Sequence, residues 1–451
     1  MYDTIAAIST ALGVGAISII RVSGKESIKI VNNIFKGKDL EQAATHTIHY
    51  GKIIDNDEII DEVLVSVMRT PKTFTREDIV EINCHGGIAT TERVLELLLT
   101  NGCRLAEPGE FSKRAFLNGR MDLTEAEGVM DLISAKSEKQ RKLAINQVSG
   151  KVSKLIKDLR EDMVTLIANI EVNIDYPEYE DIEVVTNQMI EEKINNLENK
   201  IKTILEESKN GKLIKEGIKT SIIGKPNVGK SSLLNNLLEE DKAIVTDIAG
   251  TTRDIVEGQV SIDGIILDMI DTAGIRETDN IVEKIGVEKS IKLMDDSDLI
   301  LFVLNNNEEL SEEEKELLEK VKNKNHIIIV NKIDLENKLN LSQFDTNNII
   351  KMSNINHIGI DELKNKIKEI FHLEQLETKD LTYLTNSRSI SILKKALKGV
   401  EDIKIGLSNN LSVDMLEIDI KNIWNLLGEI NGDTYDDELV DNIFKNFCLG
   451  K

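Results

Sequence analysis

The sequence predicts a multidomain chain of mixed class, α+β and α/β. It has an α+β N-terminal part, an all-α part split in two, and an α/β module with a mostly parallel sheet between the halves. Three observations predict this. Residues 1–120 hold short apolar runs that end in Gly or polar turns. Apolar residues at helical spacing run from 148 to 204 and return after 372. Residues 216–372 alternate strand-like and helix-like segments, the pattern of a parallel sheet with crossover helices.

In chain order, AISIIRVSG (16–24), EIIDEVLVSVMR (58–69) and DIVEINCHGG (78–87) read as strands, and TTERVLELLLTNG (90–102) as a helix stopped near Gly102. Val148, Val152, Leu155, Leu159, Met163, Leu166 and Ile170 step by three or four, which predicts one long amphipathic helix. Ile190, Ile194, Leu197, Ile201 and Ile204 repeat the pattern after an acidic connection, DYPEYEDIE (175–183). Ile392, Leu393, Ala396, Leu397, Val400 and Ile403 form another stripe, and residues 414–430 a further helix. These stripes read as helix–helix core. An economical arrangement packs both helical flanks together around the inserted module. The expected boundaries are 1–120, 121–215, 216–372 and 373–451.

The 451 residues suffice for two to four domains. The chain is 41% hydrophobic and 30% charged with a net charge of −23, so broad nucleic-acid binding, which needs an excess of Lys and Arg, is not expected. An RNA held at a local patch, or brought by a second protein, remains compatible. No run approaches the roughly 20 apolar residues of a membrane span, and MYDTIAAIST lacks the basic region of a signal peptide. A cytoplasmic chain is expected. Cys84, Cys103 and Cys448 have no metal-ligand spacing; the first two read as buried thiols.

GIKTSIIGKPNVGKSSLLNNLL (217–238) contains Gly224-Lys-Pro-Asn-Val-Gly229-Lys230-Ser231, a phosphate-binding loop between a strand and a helix. Its glycines let backbone N–H groups approach phosphate, and the helix N-terminus adds positive potential. Lys230 is expected to reach the β- and γ-phosphates, and Ser231 to bind Mg²⁺. Asn331-Lys332-Ile333-Asp334 follows a strand-like HIIIV and matches N-K-x-D; the Asp334 carboxylate accepts from guanine N–H groups that adenine does not present. Asp271-Thr272-Ala273-Gly274 also follows a strand and supplies a γ-phosphate-sensing N–H at Gly274. Thr252, in Gly250-Thr251-Thr252-Arg253-Asp254, is expected to complete Mg²⁺ coordination, and Ser353-Asn354-Ile355 to form the last guanine loop. Three elements in this order, each after a strand, make the α/β module a P-loop GTPase domain. Val228, Gly229, Ser232 and the stretch Thr246, Asp247, Ile248, Ala249, Gly250 and Thr251 complete the expected nucleotide contacts. Ile275, next after Gly274, cannot orient a water as a glutamine would.

GKPNVGKSS, GTTRD, DTAGIRET, NKID and the terminal FCLGK together resemble the MnmE (TrmE) family of tRNA modification GTPases, over essentially the whole chain. The resemblance implies a GTPase domain inserted into a discontinuous helical domain. It implies K⁺ bound by the Asn227 side chain and by the carbonyls of Thr246, Ile248 and Thr251 when two such domains meet, with Glu283 orienting the attacking water through a bridging water. Lys230 and Arg253 join Glu283 as catalytic candidates. It also implies a folate site: Arg21, Glu81, Arg120 and Lys451 match the family's folate positions, and Cys448 is a possible functional thiol. From the residues alone, Arg21 equally reads as a surface cation and Arg120 as a helix C-cap. Where many members carry prolines in an early turn, this chain has STALGVGA (9–16). The implied activity is K⁺-dependent GTP hydrolysis by a homodimer in a heterotetramer-type complex with the flavoprotein MnmG, which holds FAD. Together they would build an aminomethyl-type group at the wobble uridine of certain tRNAs from 5,10-methylene-tetrahydrofolate, with 5-formyl-tetrahydrofolate as a stable analogue. The alternative is a GTPase switch in ribosome assembly or protein interaction, which has no reason to bind folate.

Overall fold

The computed structural model describes residues 3–175, 185–240, 258–270, 287–341, 348–373 and 381–450. The N-terminal part is a seven-stranded sheet formed by β1 (Ile5–Ile8), β2 (Ile17–Ser23), β3 (Phe35–Lys36), β4 (Thr47–Asp55), β5 (Glu58–Met68), β6 (Ile79–His85) and β7 (Arg104–Leu105), in the order β3-β4-β5-β6-β2-β1-β7. Period-two alternation sorts its faces. Val80, Ile82 and Cys84 of β6 and Ile20 and Val22 of β2 join Val31 and Leu98 from the helices Ser27–Ile34 and Ile88–Thr100 in one core. On the other face Ile5 and Ala7 are covered by Phe111 of the helix Glu110–Leu117. Away from that helix the same face carries the exposed Ile48 (66%), Tyr50 (65%) and Leu64 (47%).

The covering helix is held by charge. Arg114, 2% exposed, pairs with Asp3 at 2.9 Å, Glu77 at 3.2 Å and Glu110 at 2.9 Å, and Arg104 adds a 2.6 Å contact to Glu110. Burial pushes the Glu110 carboxyl up, but hydrogen bonds from Arg104, the Glu107 N–H and Arg114 outweigh it and hold it below the usual range. A depressed carboxylate pKa stabilises the fold above the ordinary carboxylate range, and that stability is lost as pH falls through the lowered value. Replacing Glu110 with Gln leaves two guanidinium groups short of a partner. Denaturation at pH 7 is expected to show a loss of about 3 kcal/mol, with a flatter dependence on acidification than the wild type.

The helical part is built from both flanks. Ile156, Leu159, Met163 and Ile170 of helix Lys151–Asp175 and Ile190, Ile194 and Leu197 of helix Asn187–Glu216 share one core with Leu393, Val400 and Ile403 of helix Ser387–Ser408 and Ile420 and Ile423 of helix Val413–Asn431. Polar contacts repeat the link: Arg388 donates to Glu127 Oε1 at 3.1 Å and to the carbonyls of Glu429 and Ile430, and Gln147 donates to Thr385 Oγ1 at 2.7 Å. One expectation is corrected. The stripe from Val148 to Ile170 is not a single helix. One helix, Glu138–Val148, ends there, and the next begins at Lys151 after Gly150, whose φ of +78° is left-handed. Spacing carries through such a break because the two helices turn their apolar faces to neighbouring cores.

Residues from 218 to 373 form the second sheet: β8 (Ile218–Ile223), β9 (Gln259–Ile262), β10 (Ile265–Met269), β11 (Leu299–Asn305), β12 (His326–Asn331) and β13 (Ile349–Lys351), ordered β13-β12-β11-β8-β10-β9. Every pairing is parallel except the β9–β10 hairpin. Helix Asn187–Glu216 runs into β8 through Gly217, where a Cβ would lie 2.5 Å from the Ile266 carbonyl. Ile214 of that helix and Leu143 enter the module's core, and Ser137 Oγ donates to the Gly264 carbonyl at 2.6 Å, so the module is seated on the helices. No helix among the described residues is long and apolar enough to cross a membrane.

Candidate functional site

The phosphate loop leaves the carboxyl end of β8, between β10 and β11, where open α/β sheets place their ligands. Two of its glycines are sterically required. A Cβ on Gly224 would lie 2.3 Å from the Val303 carbonyl, and one on Gly229 2.2 Å from Asn331 Nδ2; their φ angles are +154° and +101°. Asn227 takes a left-handed φ of 62°, which Asn tolerates better than most residues. The loop curls around Lys230, whose Nζ donates to the carbonyls of Gly224 and Lys225 at 2.8 Å each. Lys230, Ser231 and Ser232 open the helix Lys230–Glu240. An ammonium group inside a backbone cradle at a helix N-terminus fits a phosphate chain, and the Ser231 hydroxyl fits a Mg²⁺ ligand.

The guanine elements are bonded to this loop. Asn331 Nδ2 donates to the Val228 carbonyl at 2.7 Å, and Lys332 Nζ to the Asn227 carbonyl at 2.7 Å. Ser353 Oγ donates to Asp334 Oδ1 at 2.6 Å, fixing the carboxylate while leaving Oδ2 for a ligand. Asp334 is exposed. Its desolvation therefore arises only where a base covers it. Asn227, Val228, Gly229, Lys230, Asn331, Lys332, Asp334 and Ser353 are thus brought together. Thr246, Asp247, Ile248, Ala249, Gly250, Thr251, Thr252, Arg253, Asp271, Thr272, Ala273, Gly274 and Glu283 lie outside the described residues.

The sequence places Asn354 in the last guanine loop but does not show its bonding role. This residue is buried, and it joins three segments. Its Nδ2 donates to the Gly229 carbonyl at 3.1 Å, its N–H to Asn331 Oδ1 at 3.3 Å, and its carbonyl accepts from Asn236 Nδ2 at 2.9 Å. Asn354→Ala removes the lace to Gly229, a loss of about 1 kcal/mol. GTP binding by calorimetry is expected to weaken by about fivefold, with kcat changed less.

The second cluster lies on the N-terminal sheet. Arg21 and Glu81 face each other across β2 and β6, with Arg21 Nε donating to Glu81 Oε1 at 2.9 Å. Their side chains are 19% and 23% exposed, and the Arg21 guanidinium lies 5.7 Å from the ring centroids of both Phe74 and Phe111. A guanidinium beside a carboxylate suits a ligand with both a carboxylate and ring N–H donors. The C-terminal tail docks on the same domain. Ser9 Oγ donates to the Gly450 carbonyl at 3.0 Å, and the Gly109 N–H to the Cys448 carbonyl at 3.3 Å. Arg120 is exposed in the turn after helix Glu110–Leu117; among the described residues no hydrogen bond or ion pair joins its side chain to Arg21 or Glu81. Lys451 lies outside the described residues. Burial raises the Cys84 thiol and pushes Cys103 up to about 12, while Cys448 is exposed.

A family model described as the MnmE helical domain matches residues 123–448, and one described as the GTP-binding protein TrmE N-terminus matches residues 4–120. The chain is 53% identical over 456 residues to a Bacillus cytotoxicus protein named tRNA modification GTPase MnmE, covering 100% of both. A Lactococcus lactis protein of the same name is 53% identical over 450 residues, covering 100% of this chain and 99% of that one. The G domain of FeoB from Methanococcus jannaschii is similar at 22% identity and a TM-score of 0.24, over 34% of this chain and 98% of that one.

Proposed function

The chain belongs to the MnmE family of tRNA modification GTPases, and from that premise we propose that its GTP hydrolysis serves modification of the wobble uridine. The observation that carries the GTPase half is the bonded contact of the phosphate loop with the guanine-selecting segment, Asn331 to Val228 and Lys332 to Asn227. Lys230 neutralises phosphate charge, Asp334 reads the base, and Ser231 with Thr252 holds Mg²⁺, which supplies electrostatic stabilisation of the phosphoryl group when bound.

Asn227, Thr246, Ile248 and Thr251 would hold a K⁺, which would supply positive charge to the phosphates; Glu283 would orient the attacking water through a bridging water, and Arg253 is a further catalytic candidate. GTP turnover at equal ionic strength should be at least about tenfold faster in KCl than in NaCl. Glu283→Ala should retain GTP binding and lose turnover. Equal rates in the two salts would reject the ion.

The modification half uses the flavoprotein partner MnmG with its FAD, and a methylene folate as one-carbon donor. Glycine or ammonium gives the nitrogen of the resulting aminomethyl or carboxymethylaminomethyl group at C5. Arg21, Glu81, Arg120 and Lys451 would hold the folate, and the docked tail supports placing Cys448 and Lys451 at that domain. The exposed apolar face of Ile48, Tyr50 and Leu64 supports a homodimer formed through the N-terminal sheets. The cytoplasm is the compartment where tRNA, GTP and K⁺ meet. Calorimetry with 5-formyl-tetrahydrofolate tests the folate half: binding by the wild type and loss in Arg21→Ala are expected, and no binding by the wild type would remove it.

A further inference from the structure

We propose that a lysine-lined groove between helices Asn187–Glu216 and Ser387–Ser408 docks the phosphate backbone of the RNA substrate. It rests on the tRNA-modification reading. The groove is a cavity of about 460 Å³ lined by Lys202, Lys209, Lys212 and Lys394, with Glu206 as the single acidic lining residue. In a chain of net charge −23, four ammonium groups around one cavity run against the composition. Lys202, Lys209 and Lys212 lie seven and three residues apart, so they share one face of their helix. Ten residues of helix span about 15 Å, the reach of a few consecutive phosphates.

Two of the four are partly engaged. Lys202 pairs at 2.8 Å with Glu198, which is largely buried and also holds Lys404, so Lys202 is the most engaged; Lys212 pairs with Glu216 at 3.6 Å, both exposed, where such a pair exchanges readily with a stronger anion. Among the described residues, Lys209 and Lys394 have no ion pair, and they come from the two opposing helices. A second cavity, of about 640 Å³, shares Lys209 and Lys212 and continues under the sheet of the GTPase domain, where Lys219 and Lys324 alternate with Glu216, Asp296 and Asp298. The excess of lysine over acid is therefore larger in the first cavity, four against one, than in the second, four against three. The mixed charge beyond the first sets where a polyanion stops. The acidic surroundings repel RNA elsewhere, so a short lysine patch fixes register without binding RNA indiscriminately. The groove's main helix ends at Gly217 and leads into β8 and the phosphate loop, which puts RNA contact and nucleotide on one continuous element.

The test uses the full chain and a labelled tRNA transcript with a wobble uridine, titrated between 50 and 200 mM salt. The wild type is expected to bind with a salt-dependent affinity. Lys209→Glu with Lys394→Glu should weaken binding by at least about tenfold, and Lys209→Gln with Lys394→Gln should lower the slope of log affinity on log salt by about 1.5 to 2. RNA-free GTP turnover should be unchanged in both, which separates lost docking from lost folding. No binding by the wild type, or wild-type affinity and slope in both variants, overturns the groove. In a deletion strain, failure of the wild-type gene to restore the wobble nucleoside would count against the tRNA reading itself. Full restoration by the Glu double variant, beside a restoring wild type, would overturn the groove alone.

Discussion

Gly450→Ala is expected to abolish tRNA modification while leaving GTP turnover within about twofold of wild type. Gly450 sits at a φ of +85°, and a Cβ there would lie 2.3 Å from the Ile8 carbonyl and 2.9 Å from the Ser9 Cα. Both obstacles are backbone, at the end of β1, and neither can swing aside as a flexible side chain would. The left-handed φ adds about 1–2 kcal/mol for any L side chain. Relieving the clash means releasing the Ser9 hydrogen bond to Gly450 and letting the tail lift from the domain that carries Arg21 and Glu81. Among the described residues no hydrogen bond joins the phosphate loop to this tail, so hydrolysis provides the internal control. The measurement is wobble-nucleoside formation beside GTP turnover in one preparation. Equal loss of both would point to misfolding, and loss of neither would separate the tail from the chemistry.

Asp334→Asn should cut GTP affinity by about 100-fold or more and shift preference toward xanthosine triphosphate. The carboxylate is preset: Ser353, buried, donates to Oδ1, and Oδ2 is left for two guanine N–H donors. An amide in its place offers an N–H where an acceptor is needed, so the base meets a donor facing a donor. Xanthine carries an oxygen where guanine carries its amino group and accepts from that amide. Competition binding with the two triphosphates reads the switch. Unchanged preference would mean that Asp334 does not face the base.

Much of this architecture is legible in the sequence because spacing and glycine placement are local. The phosphate loop could be read from its glycines, and the structure gives the reason: Gly224 and Gly229 abut the Val303 carbonyl and the Asn331 amide. The stripes on both flanks predicted a shared helical core, and Ile156, Ile194, Val400 and Ile420 meet in it. Three features were not legible, each for a physical cause. Gly150 ends a helix without interrupting the apolar spacing, because both helices on either side are amphipathic. The lace through Asn354 joins segments more than a hundred residues apart by amide bonds that have no periodic signature. The Ser9–Gly450 contact spans 441 positions, and nothing local in either segment points to the other. Arg21 shows the intermediate case. Its place opposite Glu81 follows from strand pairing, but the two aromatic rings beside it come from a loop and a helix that strand patterning does not reach.

The GTPase domain is seated through Gly217 and Leu143 on a helical frame, and under the proposed function its hydrolysis drives chemistry at the N-terminal site of Arg21 and Glu81. Mass spectrometry of wobble nucleosides in tRNA from a deletion strain, with and without the gene restored, tests it most directly. The C5-aminomethyl-type nucleosides are expected to vanish in the deletion, return with the wild-type gene, and stay absent with Asp334→Asn or Gly450→Ala. A deletion strain with the wild-type nucleoside profile would contradict the account.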